Sequence, residues 1–472
     1  MKEEFLTHVK DMAGEFLELV ENSSAPVKII GNLDTDGITS TSILCKAFAR
    51  KGIPYSTAIV KQVNSELIES LQNETFEILV FADLATAFIQ ELAETIDKPI
   101  FVLDHHFPET NEKRVGKLRQ INPHFFSIDG QKEISAAGIS YFFAKSISES
   151  NSDLAYLALV GAIGDMQENM GFIGMNKLIL DDAIAKDMVE MRETLRIFGI
   201  QTKPIHKVLE YSTNPYIPGV TGNERSAIKF IEDAGIDVYD KARNFKKLVS
   251  LSKEELEKLV NAIEIKKTPG TGMDILVGPV FLLKNEEDDS FRKDLREFST
   301  LLNSCGRMGS PSLGVGVCLD DPYSCKKAYD ILRRYRKEII DALNWFYNNR
   351  RSEKIIEKNG YVVILAESNI RDTIIGTLAS LLAKSNVYPE ETIILSSSYC
   401  LDGMIKLSLR ASGNKTDVDL RAIVKDIIAD GPGYGGGHKL AAGASIPQDR
   451  EDSFIRNALA SLDKYTSGSP KA

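Results

Sequence analysis

Val27-Lys-Ile-Ile-Gly-Asn-Leu-Asp-Thr-Asp-Gly-Ile38 is the stretch on which the fold turns: an apolar, strand-like run stops at Asp34-Thr35-Asp36-Gly37. The same event recurs downstream. Ile78-Leu79-Val80-Phe81-Ala82 runs into Asp83, and Ile100-Phe101-Val102-Leu103 runs into Asp104-His105-His106. A fourth acidic position, Asp165, closes Gly161-Ala162-Ile163-Gly164 after a helical stretch. Strand-like segments 27–33, 55–61, 77–82 and 99–104 alternate with helical segments 38–50, 64–72 and 86–96. Such alternation calls for parallel β-α-β units and a doubly wound sheet. The carboxyl ends of its strands share one rim, where ligands bind.

The fold class is α/β, in several parts. Residues 1–170 form the parallel-sheet domain, opened by an amphipathic helix over 1–25, with further helices near 137–149 and 153–163. Residues 171–297 read as a largely helical insertion, with helical periodicity from Leu178 to Phe198, Ala227 to Ala234 and Lys253 to Ile265. Within it, Asn285-Glu-Glu-Asp-Asp-Ser290 is a solvated loop. Residues 298–322 return to the first domain and 323–358 form a long connecting helix. The other face of that helix carries Arg333, Arg334, Arg336, Lys337, Arg350 and Arg351, either a solvated face or the lining of a groove. Residues 359–472 begin a smaller α/β domain with helix 371–384 and strands 361–366, 392–398 and 404–410.

The 472 residues suffice for two or three domains. An apolar fraction of 43% and a charged fraction of 26% are those of a globular protein. No run approaches the roughly 20 apolar residues of a membrane span, and the acidic N-terminal helix lacks the features of a signal peptide. Five cysteines without CxxC pairing fit reduced thiols and a cytoplasmic location. The net charge of −10 argues against a nucleic-acid binder, but a metal site concentrates carboxylates locally, so composition leaves that question open.

Asp34 and Asp36 alternate along the chain, so a persisting strand points both carboxylates to one side. Together with Asp83, Asp104, His105, His106 and Asp165 they form a donor set for two divalent cations, and mixed carboxylate and imidazole donors suit Mn²⁺ better than Ca²⁺. Mg²⁺ is the alternative. Two such ions roughly 3.5–4 Å apart promote in-line displacement at phosphorus. Any single Asp at a strand end is more often a loop residue or helix cap. The four motifs in one α/β domain are harder to dismiss.

These motifs resemble the DHH phosphoesterase family, named for the triplet seen here as Asp104-His105-His106, and are most similar to RecJ-like single-strand exonucleases of the archaeal branch. Asn32 to Ser40, Phe81-Ala82-Asp83 and Gly164-Asp165 match its other motifs. The resemblance implies that Asp34 and Asp83 serve one cation while Asp36, Asp83, His105 and Asp165 serve the other. It makes Asp83, Asp104 and His106 the catalytic candidates. One departure stands out: the family places a His or Asp ahead of the first acidic pair, where this chain has Ile30 and Asn32. The first cation is then held more weakly, or relies on water and substrate oxygens.

Asn303-Ser-Cys-Gly-Arg307 resembles the family segment whose arginine meets substrate phosphate. Gly431-Pro-Gly-Tyr-Gly-Gly-Gly-His-Lys-Leu-Ala-Ala-Gly-Ala444 is either a tight turn or an anion-binding loop, since glycines let the backbone approach a ligand. It resembles the DHH-associated C-terminal domain, which makes Gly435, Gly436, Gly437 and His438 substrate contacts. Arg410, in Ser408-Leu-Arg-Ala-Ser412, is a phosphate ligand by the same resemblance, or a structural partner of Asp402 or Asp417. Tyr399, Tyr434 and Phe107 are candidate base-stacking aromatics. The resemblance implies a metal-dependent exonuclease acting on single-stranded DNA or RNA in replication or repair, with association to the GINS complex of the replicative helicase. A phosphodiesterase for nanoRNA or cyclic dinucleotides and a replisome scaffold are the rivals.

Overall fold

The computed structural model describes residues 1–168, 171–212, 215, 217–266, 276–384, 387–413, 419–429 and 433–467. The chain begins α1 (Lys2–Glu21), β1 (Val27–Asn32), α2 (Thr35–Lys51), β2 (Tyr55–Val60), α3 (Ser65–Leu71), β3 (Ile78–Ala82) and α4 (Ile89–Thr95). It continues β4 (Ile100–Leu103), β5 (Arg114–Val115), β6 (Leu118–Ile121), α5 (Ala136–Ile147), α6 (Ala155–Gly164), α7 (Gly174–Ala185) and β7 (Val189–Leu195). Then come α8 (Ile205–Glu210), α9 (Glu224–Asp233), α10 (Lys253–Lys266), β8 (Val277–Leu283), α11 (Leu295–Arg307), α12 (Pro311–Cys318) and α13 (Pro322–Asn349). The last part is β9 (Ile355–Lys358), β10 (Tyr361–Leu365), α14 (Asp372–Lys384), β11 (Ile393–Tyr399), β12 (Met404–Ala411), α15 (Leu420–Ile428), β13 (Tyr434–His438), β14 (Ala441–Pro447) and α16 (Glu451–Ser467).

The chain divides into two compact units, residues 1–196 with 277–333, and residues 197–276 with 334–472. In the first unit the sheet order is β2-β1-β3-β4-β6-β5, parallel throughout except for the β5–β6 pair. The central strands β3 and β4 are buried on both faces, which is why they read as unbroken apolar runs. In β3, Val80 and Ala82 join a core formed with α1, α2, α5 and α6, while Leu79 and Phe81 face a second core with α3 and α4. Phe5, Val9, Ala13 and Phe16 of α1 recur at helical spacing and are fully buried, and Phe16 stacks on Phe48 of α2 at 5.0 Å. Because the chain leaves β1 for β2 on one side and returns to β3 on the other, a topological switch point opens between β1 and β3. Crevices at such points bind ligands.

The structure departs from the sequence pattern at two elements. The helical signal from Leu178 to Phe198 breaks: α7 ends at Ala185, and Val189–Leu195 is a strand paired antiparallel with β8, Val189 opposite Leu283. Glu190, Met191, Arg192 and Glu193 are good helix formers, but the β8 partner, far along the chain, overrides that local preference. The connecting helix spans Pro322–Asn349, and Ile355–Lys358 is instead a strand at the edge of the second unit's sheet. That sheet runs β13-β14-β12-β11-β10-β9, with β10 and β11 its parallel pair. Leu395, Leu407, Leu409, Ile423, Phe454 and Leu462 form its core with α15 and α16. Among the basic residues of this segment, Arg333 pairs with Asp330 and Arg336 lies over Phe198 at 4.4 Å, while Arg350, just past α13, donates to Glu357 at 2.7 Å.

Two glycines give the packing a test. A Cβ on Gly306 of α11 would overlap the Leu33 carbonyl oxygen, whereas one on Gly14, exposed on α1, meets nothing within 4 Å. Gly306→Ala is expected to lower stability by about 1–3 kcal/mol through overpacking, and Gly14→Ala to raise it by about 0.5–1 kcal/mol. Urea-denaturation midpoints check both.

Candidate metal centre

Asp34 is the N-cap of α2: its Oδ1 accepts from Gly37 N at 3.0 Å, and its Oδ2 from Asn32 Nδ2 at 3.3 Å. The strand stops at Asn32, so the alternation expected of Asp34 and Asp36 does not hold, and Asp36 lies in the first turn of a helix. The capping carboxylate of Asp34 turns the chain into helix before a second strand position forms. Asp36 is fully buried and accepts from Ala136 N at 2.7 Å and Ala137 N at 2.9 Å, the opening amides of α5. That helix N-terminus favours the carboxylate. Gly161 of α6 makes room, because a Cβ there would press on Asp36 Oδ1. Ile30 belongs to the apolar core beneath the sheet and offers no donor.

Asp83 follows β3 in a left-handed conformation, φ +65°, which costs a non-glycine residue energy and clusters at functional sites. Ala85 and Met166, at φ +85° and +61°, flank the same rim residues in sequence. Asp83 is almost fully buried, yet its Oδ1 has no hydrogen-bond partner, and neither has Asp165 Oδ2. Between them stands His105. Its Nδ1 donates to Gly130 O at 2.6 Å, which orients the ring and makes Nε2 the nitrogen a cation would use on displacing its proton. That Nε2 lies 3.1 Å from Asp165 Oδ2, 3.4 Å from Asp83 Oδ1 and 3.9 Å from Asp36 Oδ2. Asp36, Asp83 and Asp165 thus converge on one imidazole nitrogen, and the orphaned oxygens fit a cation. Buried carboxylates left without a counter-charge cost several kcal/mol each.

Asp104 is used differently. Its Oδ2 accepts from Thr86 N at 3.2 Å and Oγ1 at 2.6 Å, and its Oδ1 accepts from His106 N at 3.2 Å and Nδ1 at 2.7 Å. His106, with its side chain 46% exposed, is therefore aimed by Asp104. Its ring centroid lies 4.6 Å from that of His105. Thr86, Gly130 and the α5 N-terminus were not legible as site residues. Nor was Gln167, which donates to Gly130 O at 2.9 Å and accepts from Asn176 at 2.7 Å. The Ser135-Ala136-Ala137-Gly138 run of small residues was the one available signal for the α5 contact.

Arg307 ends α11, whose Gly306 abuts Leu33 beside Asp34, so the Asn303–Arg307 segment packs against the first motif. In the second unit Arg410 lies on β12 and donates to Ser380 Oγ at 2.9 Å, Leu409 O at 2.7 Å and Ala442 O at 3.4 Å. Asp402 accepts from Met404 N at 3.1 Å, and Asp417 lies outside the described residues. Gly435, Gly436 and Gly437 form the exposed edge strand β13, with Gly437 at φ +129°. The side chains of His438 and Tyr434 lie outside the described part of the chain.

The titration of the cluster follows from burial. Desolvation, then Asp34 and Asp36, push the Asp83 carboxyl well above its usual range, and desolvation also raises Asp36. Burial and the Asp36 charge push Asp165 up to about 8 against the pull of His105. Burial alone would lower His105, but Asp165, Asp36 and Asp104 raise it to about 9. The adjacent Asp104 carboxylate is the main reason His106 rises to about 9. Asp104 itself, though buried, is held below the usual carboxylate range by His106. A raised carboxyl stabilises the fold while protonated, below the unfolded value of 3.8, and that contribution is lost as pH rises through about 8. Cation uptake requires the deprotonated carboxylate. In chelator-treated protein at pH 7, Mn²⁺ binding is therefore expected to release protons and to tighten as pH rises from 6 to 8. Calorimetry in buffers of different ionisation enthalpy checks this; Asp165→Asn should reduce the proton release.

The sequence matches the DHH family N-terminal domain over residues 26–162, the DHH-CID domain over 197–274 and the DHHA1 domain over 359–467. An uncharacterized protein of Methanocaldococcus jannaschii is 30% identical over 459 residues, 96% of this chain and 97% of that protein. Among solved structures, the manganese-bound exonuclease RecJ aligns with a TM-score of 0.58 at 16% identity, covering 98% of this chain and 95% of that one. CDC45 from Entamoeba histolytica aligns with a TM-score of 0.67 at 12% identity, covering 97% and 99%. With three DHH-type domains in order along a RecJ-like fold, and an acidic, imidazole-centred cluster suited to a cation, the chain belongs to the DHH family.

Proposed function

We propose that this protein is a metal-dependent exonuclease that hydrolyses phosphodiester bonds at the ends of single-stranded DNA or RNA, in the cytoplasm, during DNA replication or repair. The observation that carries the reading is the convergence of Asp36, Asp83 and Asp165 on His105 Nε2 at the β1/β3 switch point, with buried oxygens left unpaired. Two Mn²⁺ ions, or Mg²⁺ in their place, would supply an activated water and neutralise charge on a phosphate being displaced in line. Asp34 and Asp83 would hold one; Asp36, Asp83, His105 and Asp165 the other.

The remaining roles belong to the protein's own groups. Asp104 fixes His106 through Nδ1, which leaves the Nε2 of that ring as its proton site toward the reacting oxygens. Arg307, Arg410, the backbone of Gly435, Gly436 and Gly437, and His438 would bind substrate phosphates. Geometry of this kind, rather than covalent chemistry, supplies most of the rate in phosphoryl transfer. The whole-length likeness to CDC45 supports a second, compatible reading, association with the GINS complex, which co-purification with GINS would test.

The test is digestion of 5′- and 3′-labelled DNA and RNA oligomers with Mn²⁺, Mg²⁺ or chelator. Shortening from one end is expected with either metal and none with chelator. Asp83→Ala should abolish cleavage, while Asp104→Asn, which touches the site only through His106 and Thr86, should cost about 10–100-fold. Full activity in Asp83→Ala would overturn the mechanism. Comparing a dinucleotide with a labelled oligomer separates this activity from a phosphodiesterase for short substrates.

A further inference from the structure

Phe107 follows His106 directly and is 78% exposed, an unusual position for a large apolar ring beside a buried polar cluster. Its backbone is not loose. Asn122 Nδ2 donates to His106 O at 2.8 Å and His124 Nε2 donates to His105 O at 3.1 Å, so the carbonyls of both histidines are pinned. The His124 ring also stands beside the Phe107 ring, centroids 5.2 Å apart and planes inclined at 59°. The aromatic is thus propped at the site by a residue that also fixes His105. The chain beyond it, Glu109, Asn111, Glu112 and Lys113, is exposed and polar, so the apolar surface does not continue along this segment.

We propose that Phe107 is the base-stacking platform of the substrate site: the nucleobase next to the scissile phosphate lies on its ring while that phosphate meets the Asp83–His105 cluster. The inference rests on the nuclease reading and adds what that reading does not contain, recognition of the base as well as the phosphate. Stacking on an aromatic face is tolerant of base identity, because every base has a π-face. The platform therefore selects nucleotides over base-free phosphodiesters without selecting a sequence. Phe107 acts on binding and orientation and takes no part in proton transfer.

The test compares wild type, Phe107→Ala, Phe107→Leu and Phe107→Trp on single-stranded oligomers with Mn²⁺. The oligomers carry either normal nucleotides or an abasic residue at the end that is cut. Phe107→Ala is expected to raise KM about 5- to 150-fold on the normal oligomer, the factor equivalent to about 1–3 kcal/mol of stacking, with kcat within about threefold. Phe107→Leu, apolar but without a π-face, should behave like Ala, and Phe107→Trp should restore KM. On the abasic oligomer all four proteins should be alike. An unchanged KM in Phe107→Ala, or an equal loss on the abasic oligomer, would overturn the inference and leave the nuclease reading standing. A wild type that cuts neither oligomer would instead defeat the nuclease reading, and this one with it.

Discussion

The structure depends on one electrostatic problem: carboxylates placed out of water around the Nε2 of His105. Asp36 and Asp83 are buried and Asp165 sits at the rim, and each is pushed toward its protonated form by desolvation and by its neighbours' charge. Asp36 is partly compensated by the α5 amides, and Asp104 by Thr86 and His106. Asp83 Oδ1 and Asp165 Oδ2 accept no hydrogen bond and are offset only by the nearby His105 ring, which does not keep either carboxyl in its usual range. A fold that merely sought stability would replace such a cluster with apolar side chains of similar volume. Keeping it makes sense when a multivalent cation supplies the missing charge.

The fold brings the donors together by simple means. β1 and β3 are neighbours although β2 intervenes in sequence, so the residues after them, Asp34 and Asp83, face one crevice. β4 adds the histidines on the same rim, and α6 ends at Asp165. Small residues let the helices come close enough: Gly161 leaves space for Asp36, and Gly306 allows α11 to press on Leu33. The positive φ of Asp83 is the local cost of aiming its carboxylate inward.

Much of this was legible because the signals are local. Each acidic motif lies at the end of an apolar run, and parallel α/β topology gathers such ends on one rim. What could not be read depends on distant backbone. The amides of Ala136 and Ala137 that hold Asp36, and the carbonyl of Gly130 that orients His105, have no side-chain signature. Asp34 and Asp36 were expected to alternate on a strand, but an aspartate ahead of Thr35 is also a good helix cap, and the cap prevailed. The β7–β8 pairing was hidden for a related reason, since Val189–Leu195 is locally helix-prone and becomes a strand only with its remote partner.

Anomalous diffraction at the manganese absorption edge, from crystals soaked in Mn²⁺, addresses the central claim most directly. The account requires a peak within bonding distance of His105 Nε2, Asp83 Oδ1 and Asp165 Oδ2. No peak there, or one only at surface carboxylates, would contradict it.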